Sequence, residues 1–260
     1  MNLGNFRLID NDITACDLEY ILDKIRKSRI NKRKLIISPL ASYTLTLARL
    51  NTNLRTVLAN YDYLLPDSQW IRRFINLFYS VRINKTITGT DLMLSVCDYA
   101  SKQGYRIFLY GTSKPTLTKL VDKLQKVYPH LIICGIKSSL FRVLTYSEKK
   151  DLCSQIDKSD TDILFTALGS PLQELFTYEM LNRRPCLIKP VVAIPVGAAF
   201  DFISGVKPKA PAWMQKIGFE WLFRLMCEPR RLLKRYLIYG PLFIWFAGYE
   251  YSKSLLKKTD

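Results

Sequence analysis

The sequence is poor in the side chains that most often hold metals or act as bases at neutral pH. It has one histidine, His130, and none of its six cysteines forms a C-x-x-C pair. These two features argue against zinc catalysis and against a catalytic triad with a histidine base. The N-terminus carries no recognisable cleavable signal, so we expect the cysteines to be buried free thiols in a reducing compartment. They are Cys16, Cys97, Cys134, Cys153, Cys186 and Cys227.

Acidic residues are scarce relative to basic ones. The chain has 22 Asp and Glu against 39 Lys and Arg, which gives a formal charge of +17 over 260 residues. Such an excess indicates a partner that attracts cations: nucleic acid, an anionic membrane face or a phosphate-rich ligand. No recognised nucleic-acid-binding motif accompanies the charge, so we predict no nucleic-acid partner.

The sequence alternates short apolar runs with longer helical patterns. This alternation predicts an α/β fold with a mostly parallel sheet. The clearest unit is "YRIFLYGTSKPTLTKLVDKLQKVYP" followed by "LIICG", which predicts a strand, a helix and a second strand. The predicted strands are residues 34–37, 63–65, 106–110, 131–134, 162–167 and 191–195.

The stretch from Pro208 onward differs in composition from the rest, with three of the four tryptophans and many basic residues. Its apolar run, residues 237–249, is shorter than the ~20 residues that a spanning helix needs. An amphipathic, aromatic and basic segment is typical of a helix in a membrane interface; a C-terminal helix pair packed on the domain, or both roles together, would also fit. We divide the chain into an α/β domain, residues 1–205, and an appendage, residues 206–260.

Ligands of parallel α/β sheets bind beyond the carboxyl ends of the strands. Four corners follow apolar runs in this way, at Asp67, Gly111, Gly169 and Gly197. One glycine corner is weak evidence because tight turns need glycine anyway. Several on one sheet edge favour a nucleotide-type site, where backbone N–H groups approach a phosphate at a helix start.

Polar residues at these corners leave alternatives open. Asp67 is either the N-cap of the next helix or a carboxylate that takes a proton from a hydroxyl. Gln173 and Glu174 are either ordinary first-turn helix residues or ligand contacts. Asp201, in "GAAFDFISG", either accepts hydrogen bonds from ribose hydroxyls or caps a turn.

Two acidic pairs match the D-x-D pattern of metal sites. Asp160-Thr161-Asp162 precedes its predicted strand, so it should lie at the edge of the sheet opposite the glycine corners. Asp10-Asn11-Asp12 is an equally short pattern. We interpret both as loops, and we predict no metal and no cofactor.

Five segments together resemble the WecG/TagA/CpsF glycosyltransferase family (glycosyltransferase family 26). "LLPDSQWIRRF" is similar to its D-G-x-G-V-x-W segment, with Asp67 at the acidic position. "ITGTDLM" is similar to V-T-G-x-D-L, "RIFLYGTSKP" to R-V-F-L-L-G-G-x-P and "LGSPLQE" to G-x-P-K-Q-E. "VGAAFDFISGVKPKAPAWMQKIGFEWLFRLMCEPRR" matches G-V-G-x-x-F-D-x-x-A-G through G-L-E-W-x-x-R-L-x-x-E-P-x-R nearly throughout.

The resemblance implies a bacterial enzyme with a Rossmann-like fold, peripheral on the cytoplasmic face of the inner membrane. The family moves a sugar, often N-acetylmannosamine or its uronic acid, from a UDP-sugar to a polyprenyl-diphosphate-linked acceptor in surface-polysaccharide biosynthesis. Its members are described as inverting and metal-independent. By this resemblance Asp67 is the candidate base, Gln173 lies near the donor, and Arg224, Arg230 and Arg231 neutralise the diphosphate. The full set predicted to bind substrate is Gly111, Gly169, Gln173, Glu174, Gly197, Asp201, Arg224, Arg230 and Arg231.

The sequence departs from the family at two places. "IISPLA" stands for T-x-N-P-E, with Ile36, Ser38 and Leu40 at the polar positions, and Leu172 stands where lysine is usual. These changes leave the donor sugar open, and the oligomeric state, a homo-oligomer included, is open too. The alternative function is a catalytically degenerate member that acts as a membrane-binding scaffold.

Overall fold

The computed structural model describes residues 2–183, 187–189 and 191–259 and has a parallel sheet at its centre. The strands of the described chain are β1 (Asn2–Leu8), β2 (Asn11–Cys16), β3 (Leu35–Leu40), β4 (Tyr63–Pro66), β5 (Arg106–Gly111), β6 (Ile132–Lys137), β7 (Ile163–Ala167) and β8 (Val192–Pro195). Six of them form one sheet in the order β4-β3-β8-β7-β5-β6, and all neighbouring pairs are parallel. This confirms the predicted α/β fold and all six predicted strands, with ends that differ by a few residues.

Helices cover both faces of the sheet, so the inner strands are buried on both sides and read as continuous apolar runs. On one face pack α2 (Ser42–Leu50), α3 (Thr52–Leu58), α4 (Gln69–Tyr79), α7 (Tyr146–Lys158) and α8 (Leu172–Asn182). On the other pack α1 (Leu18–Ile30), α5 (Gly89–Gln103), α6 (Lys114–Val127) and α9 (Ala199–Ser204). Successive residues of a strand contribute to opposite layers: Leu164 packs in the first and Phe165 in the second.

The hairpin of β1 and β2 was not predicted. The two strands are antiparallel and form their own small sheet, with Leu8 and Ile13 fully buried against the first helical layer. Its turn has no glycine: Ile9 and Asp10 take positive φ angles of 49° and 59°. A turn without Gly or Asn-Gly gives little signal in the sequence, which explains why the hairpin was missed.

The C-terminal stretch is helical and packs partly on the α/β domain. It contains α10 (Ala212–Ile217), α11 (Glu220–Cys227), α12 (Pro229–Leu237) and α13 (Tyr239–Thr259). Phe243 and Ala247 of α13 are buried in the first layer's core, and the Phe243 ring meets Phe74 of α4 at 5.6 Å. The opposite side of α13 exposes Trp245, at 70%. Among the described residues we find no helix that is both long and apolar enough to cross a membrane.

The cysteines are free thiols wherever the structure describes them, but the prediction that they are buried holds for only some. Cys97 and Cys153 are buried and Cys16 and Cys134 partly so. Cys227 is exposed, because it lies on the outer side of α11, so that part of the prediction was wrong. Cys186 lies outside the described residues.

Candidate active site

The sheet topology predicts a ligand crevice at the carboxyl edge, between the ends of β3 and β8. The helix that follows β3 is α2 and the one that follows β8 is α9, and these two pack on opposite faces of the sheet. A reversal of this kind separates the strand ends and is where α/β sheets bind ligands. Asp67 follows β4, Gln173 lies beyond β7 and Gly197 follows β8, so three predicted site residues lie around this crevice.

Asp67 is not the N-cap of α4. Ser68 is, because its side chain accepts a hydrogen bond from the Ile71 N–H. The Asp67 backbone N–H donates to the carbonyl of Leu40 over 3.2 Å, and its Oδ1 accepts from the Gly89 N–H over 3.1 Å. These contacts hold the carboxylate at the ends of β3 and β4, where Oδ1 satisfies the first N–H of α5 and not an N–H of α4.

The acidity of Asp67 is shifted in the direction that suits a base. Burial raises its pKa to about 6, and the nearby carboxylate of Glu220 adds to the rise. The Gly89 N–H and then the guanidinium groups of Arg224 and Arg235 oppose it. Glu220 and Arg224 belong to α11 and Arg235 to α12, so the C-terminal helices bring three charges to this carboxylate.

Gln173 and Glu174 occupy the first turn of α8 and are buried, with only 6% and 1% of their surface exposed. The Gln173 Nε2 donates to Glu174 Oε1 over 3.0 Å. The hydroxyl of Tyr61 donates to the Glu174 backbone carbonyl over 2.8 Å, which anchors this turn to the end of the helical pair α2–α3. Burial raises the pKa of Glu174, while the hydrogen bond from Gln173 lowers it.

Several buried polar atoms at this edge have no hydrogen-bond partner in the described part of the chain. They are Ser38 Oγ on β3, Gln173 Oε1 and Glu174 Oε2 on α8, and Arg235 Nε on α12. An unpaired buried polar atom costs about 1–3 kcal/mol, so a group of them in one place indicates a site that a polar ligand completes.

The glycines of the corners differ in what surrounds them. Gly111 has φ +132°, and an added Cβ would lie 2.3 Å from the carbonyl oxygen of Ala167, so packing of β5 on β7 already requires glycine there. Gly169 has φ +80° with open space beside it, which leaves its backbone accessible. At Gly197, with φ +54°, an added Cβ would lie 3.0 Å from Gln173 Oε1.

Asp201 and one of the predicted arginines, Arg231, belong to a chain of ion pairs. Lys207 lies 2.7 Å from Asp201 and 3.0 Å from Glu228, and Glu228 also pairs with Arg231 at 2.5 Å. The Thr112 hydroxyl, at the end of β5, approaches Asp201 at 3.4 Å. Arg230 is exposed. The network ties α12 to α9, which gives Asp201 and Arg231 a structural role whether or not they touch a ligand.

Arg235 and Tyr43 were not predicted as site residues. The Arg235 guanidinium lies 4.6 Å from the centroid of the Tyr43 ring, on α2. Burial lowers the pKa of Arg235, and the neighbouring Arg224 lowers it further. Arg235 lies four residues after Arg231, as helix neighbours do, but only the fold shows that Arg231 faces outward and Arg235 inward.

The acidic pairs lie away from the crevice. Asp160 and Asp162 precede β7, at the amino edge of the sheet as predicted, and pair with Lys189 and Arg29. Asp10 lies in the β1–β2 turn beside Arg7 and Arg49, but Asn11 and Asp12 begin β2, so the interpretation of this pair as a loop was partly wrong. In the region that the structure covers, no three His, Cys, Asp or Glu side chains come together as metal ligands would.

A carboxylate at the end of a parallel strand of an α/β sheet is compatible with many classes of enzyme, and comparison with known proteins narrows the class. The model of the glycosyl transferase WecG/TagA/CpsF family matches residues 6–256. The chain belongs to this family of glycosyl transferases.

Two relatives are both N-acetylglucosaminyldiphosphoundecaprenol N-acetyl-beta-D-mannosaminyltransferases. The one from Bacillus subtilis (strain 168) is 32% identical over 175 residues, which are 67% of this chain and 64% of the relative. The one from Bacillus spizizenii (strain W23) is 27% identical over 181 residues, which are 70% of this chain and 66% of the relative. The chain therefore spans slightly less than two thirds of the length of these curated relatives.

Proposed function

We propose that this protein is an inverting glycosyltransferase that moves a sugar from a UDP-sugar to a polyprenyl-diphosphate-linked acceptor in bacterial surface-polysaccharide biosynthesis. The observation that carries the proposal is the position and the raised pKa of the Asp67 carboxylate. This carboxylate lies at the carboxyl edge of the sheet, is not the N-cap of α4, and burial raises its pKa to about 6. A general base works best with a pKa near the working pH.

Inversion requires one displacement at the anomeric carbon. The acceptor hydroxyl oxygen forms the new bond to this carbon as the bond to the diphosphate oxygen of the donor breaks. The hydroxyl proton passes to Asp67, and the electron pair of the broken bond leaves on UDP. Cationic side chains stabilise the charge that develops on the diphosphate, and Arg224, which shares the surroundings of Asp67, is placed for this role.

The relatives support the choice of substrates. Their names state an N-acetylglucosaminyldiphosphoundecaprenol acceptor and transfer of N-acetyl-beta-D-mannosamine. We propose the same acceptor class for this chain, and UDP-N-acetylmannosamine as the first donor to test. The segment "IISPLA" forms the end of β3, where Leu40 is fully buried and apolar and Ser38 Oγ has no partner among the described residues, and we propose that it tunes the donor preference of this chain.

The first test is calorimetric titration with UDP in the absence of metal, followed by transfer assays with UDP-N-acetylmannosamine and a short polyprenyl-diphosphate-linked N-acetylglucosamine. We expect saturable UDP binding, and transfer that persists in EDTA. Loss of transfer in EDTA would contradict the metal-independent mechanism. Absence of UDP binding, with and without vesicles, would favour the scaffold alternative.

We further propose that the appendage, residues 206–260, docks peripherally on an anionic membrane at the cytoplasmic face. Large apolar side chains exposed on α10 to α13 support this, and basic residues lie among them. The exposed apolar residues are Trp213, Ile217, Phe219, Met226, Leu233, Leu237, Ile238, Ile244 and Trp245. Phe243 and Ala247 pack in the core at the same time, so α13 combines the two roles considered from the sequence.

The docking test uses point substitutions, since removing α13 would uncover the core around Phe243. Leu237→Glu with Trp245→Glu should weaken sedimentation with phosphatidylglycerol vesicles by about 10-fold or more, because two apolar contacts are lost and two negative charges gained. Val127→Glu with Leu50→Glu, on other exposed surfaces, is the matched control. Equal vesicle binding by both double variants would overturn the docking proposal.

A further inference from the structure

The side-chain amide of Gln173 has a defined direction. Its Nε2 donates to Glu174 Oε1 over 3.0 Å, and a carboxylate oxygen accepts hydrogen bonds but does not donate them. The amide nitrogen is therefore turned toward Glu174 and the amide oxygen away from it. The Gln173 Oε1 has no partner among the described residues.

The surroundings keep this direction in place. The backbone N–H of Gln173 donates to the carbonyl of Gly169 over 2.9 Å, and the Tyr61 hydroxyl holds the carbonyl of Glu174. The amide oxygen is the atom nearest to the Cβ position of Gly197, at 3.0 Å, whereas Nε2 is 3.5 Å away. Gln173 thus presents its oxygen to the backbone turn that follows β8, at the crevice.

Both unpaired atoms of this pair, Gln173 Oε1 and Glu174 Oε2, are acceptors. The Arg235 guanidinium acts on Glu174 and would attract a phosphate, but a phosphate offers only further acceptor oxygens and so cannot supply a hydrogen to Gln173 Oε1. A sugar hydroxyl or an acetamido N–H supplies the missing donor. The chemistry of the pair therefore selects an uncharged, donor-bearing part of a ligand.

We infer that Glu174 is a positioning residue that turns Gln173 into a hydrogen-bond acceptor for a hydroxyl or amide N–H of the bound ligand, and that Gln173 does not bind the diphosphate. This inference rests on the proposed function for the identity of the ligand. The hydroxyl or N–H that donates the hydrogen bond to Gln173 belongs either to the ribose of UDP or to the transferred sugar.

The direction of the amide can be tested without any ligand. In a ¹H–¹⁵N spectrum, the side-chain NH₂ signal of Gln173 is identified by its absence from Gln173→Glu. We expect slow hydrogen exchange of this signal in the unmodified protein and a changed shift in Glu174→Gln. The control is Glu179→Gln on the same helix, whose carboxylate pairs with Lys149 at 2.7 Å. Rapid exchange, or a signal that Glu174→Gln leaves in place, would overturn the positioning role.

The ligand class is tested by exchanging the two residues. Glu174→Gln alone releases the amide and should weaken ligand binding about 10-fold, the usual cost of one lost hydrogen bond in a buried site. In the double variant Gln173→Glu with Glu174→Gln, the new amide can donate to the new carboxylate, which again presents an acceptor. Binding should recover to within about 3-fold of the unmodified protein.

Calorimetry with UDP and with UDP-N-acetylmannosamine shows whether the ribose or the transferred sugar donates this hydrogen bond. Weaker binding of both ligands by Glu174→Gln assigns the ribose; weaker binding of the UDP-sugar alone assigns the sugar. A double variant that binds more weakly than Glu174→Gln would show that a carboxylate faces a phosphate, and would overturn the inference. If the unmodified protein binds neither ligand, the proposed donor fails together with the ligand assignment, while the exchange measurement still decides the positioning role.

Discussion

Carboxylates at the two edges of the central sheet differ in their hydrogen-bond partners. At the amino edge, Asp62 accepts a hydrogen bond from the Ile36 N–H over 2.7 Å, and Asp162 accepts one from the Arg106 N–H over 2.8 Å. Each carboxylate precedes one strand and bonds to the start of the neighbouring strand. Asp162 is also paired with Arg29.

At the carboxyl edge, the acidic groups are less well satisfied. Asp67 accepts one backbone hydrogen bond, and Glu174 accepts from Gln173 while its second oxygen has no partner among the described residues. Burial raises the pKa of both, but it also raises the pKa of Asp62 at the amino edge, so hydrogen-bond partners and not the pKa distinguish the two edges. The contrast separates carboxylates that hold strands together from carboxylates that are available for a ligand, although all of them lie at the end of a strand or the start of a helix.

The strongest test of this contrast is Asp67→Asn. Transfer should fall about 10²- to 10⁴-fold, because the amide cannot take the acceptor proton. UDP affinity, measured by calorimetry, should stay within about 2-fold, since the charge removed is not a ligand of the nucleotide. Turnover equal to that of the unmodified protein would remove Asp67 from the mechanism.

The pH dependence of transfer is the next largest effect. The base must be ionised, so the rate should fall as pH drops through about 6, the pKa of Asp67, and lose about 10-fold per further unit. Transfer rates measured at saturating donor and acceptor between about pH 5 and 8 test this pH dependence. A rate that stays level down to about pH 5 would show an unshifted carboxylate.

Gly197→Ala should affect the site without touching the chemistry directly. The new Cβ would lie 3.0 Å from Gln173 Oε1 at a φ of +54°, which costs about 1–2 kcal/mol in backbone energy and pushes the amide aside. We expect about 10-fold weaker donor binding. Gly104→Ala, at φ +68° with open space around it, controls for the backbone cost alone. Equal effects of the two variants on donor binding would contradict the contact with Gln173.

Asp67→Asn should also stabilise the fold at neutral pH. The pKa of Asp67 is raised from 3.8 to about 6, so the folded state loses stability as pH rises through 6 and the carboxyl ionises. Removing the charge should raise the free energy of unfolding by up to about 3 kcal/mol at pH 8 and by nothing at pH 3. Urea unfolding at both pH values measures this, and a loss of stability at pH 8 would contradict it.

The smallest effect on function is expected from Asp162→Asn at the amino edge. It weakens the contacts to the Arg106 N–H and to Arg29 and should lower the free energy of unfolding by about 1–3 kcal/mol. UDP affinity at a temperature well below the unfolding midpoint should be unchanged. A selective loss of UDP binding in the folded variant would indicate that Asp160-Thr161-Asp162 is a ligand site after all.

Much of the fold could be predicted from the sequence because the signals are local. The apolar run 162–167 ends at Gly169, and Ser113 and Pro115 mark the start of α6, so strand and helix were both recognisable. The hairpin β1–β2 was not, since its turn lacks the residues that favour hairpins. Motif resemblance named Asp67 and Gln173 as candidate site residues, but it could not show that Gly111 is required by packing against Ala167.

The sequence alone determined the class of fold, the family resemblance and the strand ends at which we propose a ligand site, because apolar periodicity and corner residues are local properties of the chain. Only the tertiary structure decided which polar groups meet. In the tertiary structure Ser68, and not Asp67, is the N-cap of α4. Arg235 faces inward against Tyr43, while Arg231 pairs with Glu228. The Gln173 amide is oriented by its hydrogen bond to Glu174. Burial and partner choice depend on residues distant in the chain, and these decide the acidity and the hydrogen-bonding direction of a site.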